Sequence, residues 1–139
     1  MVGLCLLAIL GAVVIRRLQH QKRRAESINC RSNLISIGLA ARMWANEHGE
    51  AFPSGLRVMS NELNSPKILF CPGNKPFPPG RNNWAAFDDQ QSSYVMVSIN
   101  MTEGDTNTVF LRCRFHGHLL YGDGSVFDGR KRSGNKSDD

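Results

Sequence analysis

The sequence predicts an α+β fold in which one long N-terminal helix packs on a small antiparallel sheet. Three observations predict it. No proline occurs before residue 53, so nothing interrupts a helix over the first third of the chain. All six prolines fall between residues 53 and 79, which makes the middle third a run of loops. After residue 92 short apolar runs alternate with turn residues, the pattern of hairpins.

Residues 2–15 (VGLCLLAILGAVVI) form an uncharged run of fourteen. As a helix it rises roughly 21 Å, against about 30 Å of bilayer hydrocarbon. It is apolar on every side, which a one-faced surface helix is not. The arginines that follow have long stems able to snorkel and extend the span. A cleavable signal is the competing reading, although no clean A-x-A site follows the run. We read residues 1–17 as a membrane-anchoring helix.

From residue 18 to about residue 48 the helix continues. Cys30, Leu34, Ile37, Ala41 and Trp44 recur at i, i+4, i+7, i+11 and i+14, one face of a helix. Gly49 supplies a C-terminal stop, and Pro53 prevents resumption. This stretch opens a globular domain over residues 18–129. A short helix is expected near residues 58–63, with Ser54 or Ser60 as cap, and a short strand at residues 67–71 (KILFC). Residues 75–84 should be an exposed, irregular connection. Strands are expected at residues 93–99, 108–113, 118–121 and 125–127. Asp123-Gly124 between the last two is a strong hairpin signal, because both residues tolerate positive φ. Residues 130–139 lack apolar side chains and should be a disordered tail.

Charge narrows the function. The net charge is +5. Arg16, Arg17, Lys22, Arg23 and Arg24 account for all of it, and from residue 25 onward twelve basic residues face twelve acidic ones. A basic cluster beside an apolar run suits anionic lipid headgroups, and no nucleic-acid partner is expected. Under the positive-inside rule this cluster would hold its side of the membrane in the cytoplasm.

The motif order carries a resemblance. Cys30-x-x-Asn33-Leu34-x-x-Ile37-Gly38-x-Ala40 is followed by Trp44 and Pro53, then Phe70-Cys71-Pro72, Ser93-Tyr94-Val95, His116 and Asp123-Gly124-Ser125-Val126. The chain thereby resembles the pseudopilins and prepilin-like proteins of the type II secretion and type IV pilus superfamily, in the subgroup with a C-terminal His…Asp-Gly signature. The similarity covers roughly residues 5 to 128. That family starts with a basic leader, a Gly-Phe junction and an early Glu. This sequence opens inside the apolar run, so the expectation is either a misplaced start codon or a derived protein that the prepilin peptidase does not process. The resemblance implies a pilin-like fold, a structural role in assembly and no enzymatic activity. It implies partners in membrane lipid and sister subunits or secretion machinery, with no small-molecule substrate. It also implies a single-pass protein of the inner membrane with its C-terminal domain on the periplasmic side, against the local charge rule. Small residues such as Gly3, Ala8, Gly11 and Ala12 would let helices approach closely.

Candidate site residues follow from side-chain chemistry. Cys5 lies in the apolar run, so the three remaining cysteines allow at most one intramolecular disulfide, and Cys71 with Cys113 is the preferred pair if the domain is exported. Cys113, His116 and His118, with Cys71, are candidate zinc ligands, set against a reading as a strand-end cysteine and two surface histidines. Residue 113 does not share strand parity with 116 and 118, which weighs against a common site. Asp123 and Asp128 are candidate calcium ligands, although Asp123 also suits a simple turn. No bound cofactor is otherwise expected. Ser125, His116 and Asp123 match a catalytic triad by residue type only and lack a nucleophile elbow, so no catalytic residue is assigned. Trp44 is read as core, and Trp84 as a partner contact or a lid over the core.

Overall fold

The computed structural model describes residues 2–129. The tail expected at residues 130–139 lies outside the described residues. One helix, α1 (Val2–Glu47), runs unbroken through the apolar run, the basic cluster and the amphipathic stretch. Its end is closed by local chemistry. Gly49 and Glu50 adopt positive φ (64° and 65°), and the Glu50 amide turns back to the Ala45 carbonyl at 2.8 Å. The His48 ring bonds the Trp44 carbonyl at 2.8 Å and stacks on the Trp44 indole. A residue in the left-handed region lets freed carbonyls find donors, as a helix stop requires.

Four strands follow the loop region: β1 (Tyr94–Met96), β2 (Val109–Cys113), β3 (His118–Tyr121) and β4 (Val126–Asp128). They form a simple antiparallel meander in the order β1-β2-β3-β4. The last hairpin turns at Asp123-Gly124, with Gly124 at φ +84°. A bulge between Val109 and Leu111 breaks the alternation of β2, so that consecutive Phe110 and Leu111 are both buried.

The helix and the small sheet are as expected, and the middle differs. Residues 67–71 are not a strand. Pro66–Leu69 is a turn of 3-10 helix. Pro66 sits at its first position, and the Ser65 hydroxyl accepts from the Lys67 amide. Proline cannot donate within a ladder, whereas it suits a helix start. The short helix near residue 58 is Arg57–Ser60, with no side-chain cap from Ser54 or Ser60. β1 is shorter than the expected 93–99.

The core lies between the second half of α1, the loops and the sheet. Cys30, Leu34, Ile37, Ala41 and Ala45 are fully buried, against Leu69, Phe70, Phe87, Leu111 and Leu120. Trp44 is half-buried at the edge of this cluster. Trp84 packs edge-on against Phe87 at 5.5 Å, so it serves as a flank of the core. Gly38 marks the tightest approach of helix to sheet. A Cβ there would lie 2.9 Å from Leu120 Cδ1 and 3.6 Å from Gly124 Cα.

Among the described residues, nothing packs against the first half of α1. Leu4 is 79% exposed and Leu7 71%. Among the described residues this is the one helix long and apolar enough to cross a membrane, and none of its apolar window is buried.

Candidate metal centre

Three buried sulfurs and one imidazole converge beneath α1. Cys30 comes from the buried face of α1, Cys71 from the loop after the Pro66–Leu69 turn, Cys113 from the end of β2 and His116 from the β2–β3 turn. Their ligating atoms all lie within 4.8 Å of one another. The three cysteines are at most 1% exposed, and His116 is half-buried.

Each donor is placed by its local chain. Cys30 begins the stripe that Leu34, Ile37 and Ala41 continue, so core packing points its sulfur inward. The Gly73 amide donates to Cys71 Sγ at 3.4 Å, and the His116 amide to Cys113 Sγ at 3.4 Å. The Tyr94 hydroxyl donates to Cys30 Sγ at 3.7 Å. His116 Nδ1 lies 3.0 Å from Cys71 Sγ. Gly73 also leaves room for that ring: a Cβ there would meet His116 Cε1 at 3.1 Å.

The sulfurs do not titrate alike. Hydrogen bonds from the Cys30 and Cys71 thiols, aided by the amides of His116 and Phe115, hold the Cys113 thiol far below its usual range despite burial. The Cys113 sulfur, then Cys71 and burial, push the Cys30 thiol far up. Cys71 is pushed up to about 11, first by Cys113, while the Gly73 amide works the other way. Burial pushes the Tyr94 phenol up as well. Without a cation, a buried trio of this kind supports negative charge on one sulfur far more readily than on three.

The expected sites fare differently. Cys71 and Cys113 are separate thiols, not the expected disulfide, and both share the cluster with Cys30. His118 is outside the cluster. Its Nε2 faces the Ser27 hydroxyl at 3.0 Å, and its ring stacks on His116 at 5.6 Å between centroids. Burial lowers its pKa, with Asp128 opposing. The parity objection to Cys113 and His116 does not apply, because β2 ends at Cys113 and His116 lies in a turn.

Asp123 and Asp128 are not brought together. Asp123 sits in the β3–β4 turn, and Asp128 pairs with His118 at the far end of that hairpin. One calcium ion, bound at about 2.3–2.6 Å, cannot be shared across the hairpin. Asp123 instead accepts from the Ser125 hydroxyl at 2.6 Å and the Ser125 amide at 2.8 Å. These bonds hold its carboxyl below the usual carboxylate range. Ser125 is thereby turned toward Asp123, while His116 is engaged at the other end of β3, so the three do not form a triad.

Cys30 is the ligand candidate that sequence reasoning missed. Its place on the buried stripe was legible, but no local spacing links it to Cys71 or Cys113. The remaining motif residues are structural. Asn33 Nδ2 donates to the Phe70 carbonyl at 3.4 Å, Leu34 and Ile37 are core, and Gly38 and Gly124 meet where α1 crosses the last hairpin. Separately, an open groove of about 820 Å³ runs between α1 and residues 62–81, with Leu39, Met43, Ile68 and Phe77 among the residues that line it. No protein-family model matches the chain, and no curated protein or solved structure matches it either.

Proposed function

We propose that the chain is a membrane-tethered structural subunit, pseudopilin-like in design, whose apolar helix segment packs against lipid and sister helices while its head domain is displayed outside the cytoplasm. The single observation that carries this reading is the distribution of burial along one continuous helix. The second half of α1 is rooted in the head, and the first half presents Leu4, Leu6, Leu7, Ile9, Leu10 and Val14 outward, each more than half exposed. Apolar surface on that scale is costly in water, at about 25 cal/mol per Å², and calls for an apolar environment.

Two further features support assembly. Gly3 and Gly11 have open space around them, which suits close approach of a second helix. Ile28, Ile35, Leu39 and Met43 are also about half exposed or more, on the face of α1 opposite the core. An apolar strip therefore continues from the anchor along the head, where a neighbouring helix would lie.

Cys5, exposed within the anchor, provides the test. Oxidative cross-linking of the full chain in its own membranes should give a dimer that is lost in Cys5→Ser. Membrane-impermeant protease added to spheroplasts should remove the head. Monomer alone at every oxidant level would reject assembly through this helix. A head digested only after lysis would reject the assigned orientation.

A further inference from the structure

We infer that Cys30, Cys71, Cys113 and Nδ1 of His116 form a closed tetrahedral site for a structural zinc ion that ties α1 to the central loop and to the β2–β3 hairpin. This goes beyond the membrane-tethered reading and does not depend on it.

The donor set is the first argument. Three thiolates and one imidazole are the ligands of a structural zinc site, soft enough to exclude calcium and magnesium, which take oxygen. Geometry is the second. Zn–S bonds of about 2.3 Å and a Zn–N bond of about 2.0 Å place tetrahedral donors roughly 3.5–3.8 Å apart. Here the four atoms lie within 4.8 Å of one another, and the Cys71–His116 pair is at 3.0 Å. Closing the site therefore asks for shifts of about 1 Å or less. The burial of all three sulfurs leaves no open coordination position for a reacting water, which makes the role structural rather than catalytic.

The surroundings are the third argument. Amide donors from Gly73 and His116 and the Tyr94 hydroxyl already point at the three sulfurs, one to each. Such outer hydrogen bonds orient ligands and offset the excess negative charge of three thiolates on one dication. Gly73 keeps clear the space that the His116 ring occupies. On loading, the protons still held by the thiols leave to solvent and the neutral imidazole contributes its Nδ1 lone pair, with no change of oxidation state.

A Cys71–Cys113 disulfide is the competing use of these atoms. It would employ only two of the four donors. The metal uses all four and joins segments about forty residues apart in sequence. For a head with a thin core, a link of that kind stabilises as a cross-link does.

The test uses the full chain, purified in detergent without chelator from zinc-containing medium. About one zinc per chain is expected, with Cys5 alone alkylated until the metal is stripped. Cobalt exchange should give the intense thiolate-to-metal absorption and visible bands of a tetrahedral site. Cys71→Ser should lose the metal. His118→Gln should keep it. His116→Cys, which restores a fourth ligand, should also keep it and strengthen the charge-transfer absorption. A folded wild-type chain without zinc and without a cobalt spectrum would overturn the inference, even if the serine variant fails to fold. So would zinc retained in a Cys71→Ser, His116→Ala double variant, or a Cys71–Cys113 disulfide recovered from the native protein.

Discussion

Residues 2–15 and residues 30–45 of α1 belong to one helix, yet only the second segment packs on the head. In the second segment a stripe of apolar residues at every third or fourth position is fully buried and meets the sheet. In the first segment apolar residues occur at every angle and meet no part of the head. Propensity alone does not distinguish them, because Leu, Ile and Ala recur in both. What differs is the angular distribution: a stripe repeated every third or fourth residue can be covered by one core, and a run apolar at every angle cannot. The basic cluster at residues 16–24 marks the border between the two.

Truncation separates the segments most strongly. Leu34→Ala removes a fully buried side chain, and should cost the head about 3 kcal/mol, a fall of roughly 10–20 °C in melting temperature. Leu10→Ala, in the uncovered segment, should leave the head's melting temperature unchanged. Calorimetry or tryptophan fluorescence of the full chain in detergent checks both. A loss of similar size at Leu10 would mean that the anchor folds back on the head.

The glycines sharpen the contrast. Gly38→Val should lower stability by about 1–3 kcal/mol, because its Cβ and methyls would be driven into Leu120 and the Gly124 backbone. Gly11→Val meets open space and should leave head stability unchanged while reducing Cys5 cross-linking, if a sister helix approaches there.

Part of this contrast was legible in the sequence, because it rests on local periodicity. The stripe from Cys30 to Ala41 and the Asp123-Gly124 turn are both patterns within a dozen residues, and both appear in the structure. Residues 67–71 were misjudged for a related reason. Their side chains have strand composition, but Ser65-Pro66 just upstream sets the backbone into a 3-10 turn. The thiol cluster was less legible. Cys30, Cys71 and Cys113 are brought together only by tertiary packing, and the parity argument against His116 assumed a strand where the chain turns. Cys30 was visible as a core position, and nothing within its own stretch of sequence shows that its sulfur lies beside the other two.

Smaller effects lie at the join between helix and hairpin. Ser27→Ala removes the hydroxyl facing His118 Nε2, and should cost about 1 kcal/mol by leaving a buried ring nitrogen short of a partner. His118 Nδ1 already has no hydrogen-bond partner among the described residues. Asp123→Asn should have the smallest effect. The Asp123 carboxyl is held below its ordinary value of 3.8 by Ser125, so its contribution is present above that pH and lost as pH falls through the lower folded value. The melting difference between wild type and Asp123→Asn should therefore be small at pH 6 and vanish on acidification below pH 3.8.

Alkaline carbonate extraction of cell membranes, applied to the full chain and to a chain beginning at Leu18, tests the division of α1 most directly. The account predicts that the full chain stays in the membrane pellet and that the shortened chain is released as a folded, cooperatively melting head. A full chain extracted into the supernatant, or a shortened chain that cannot fold, would contradict it.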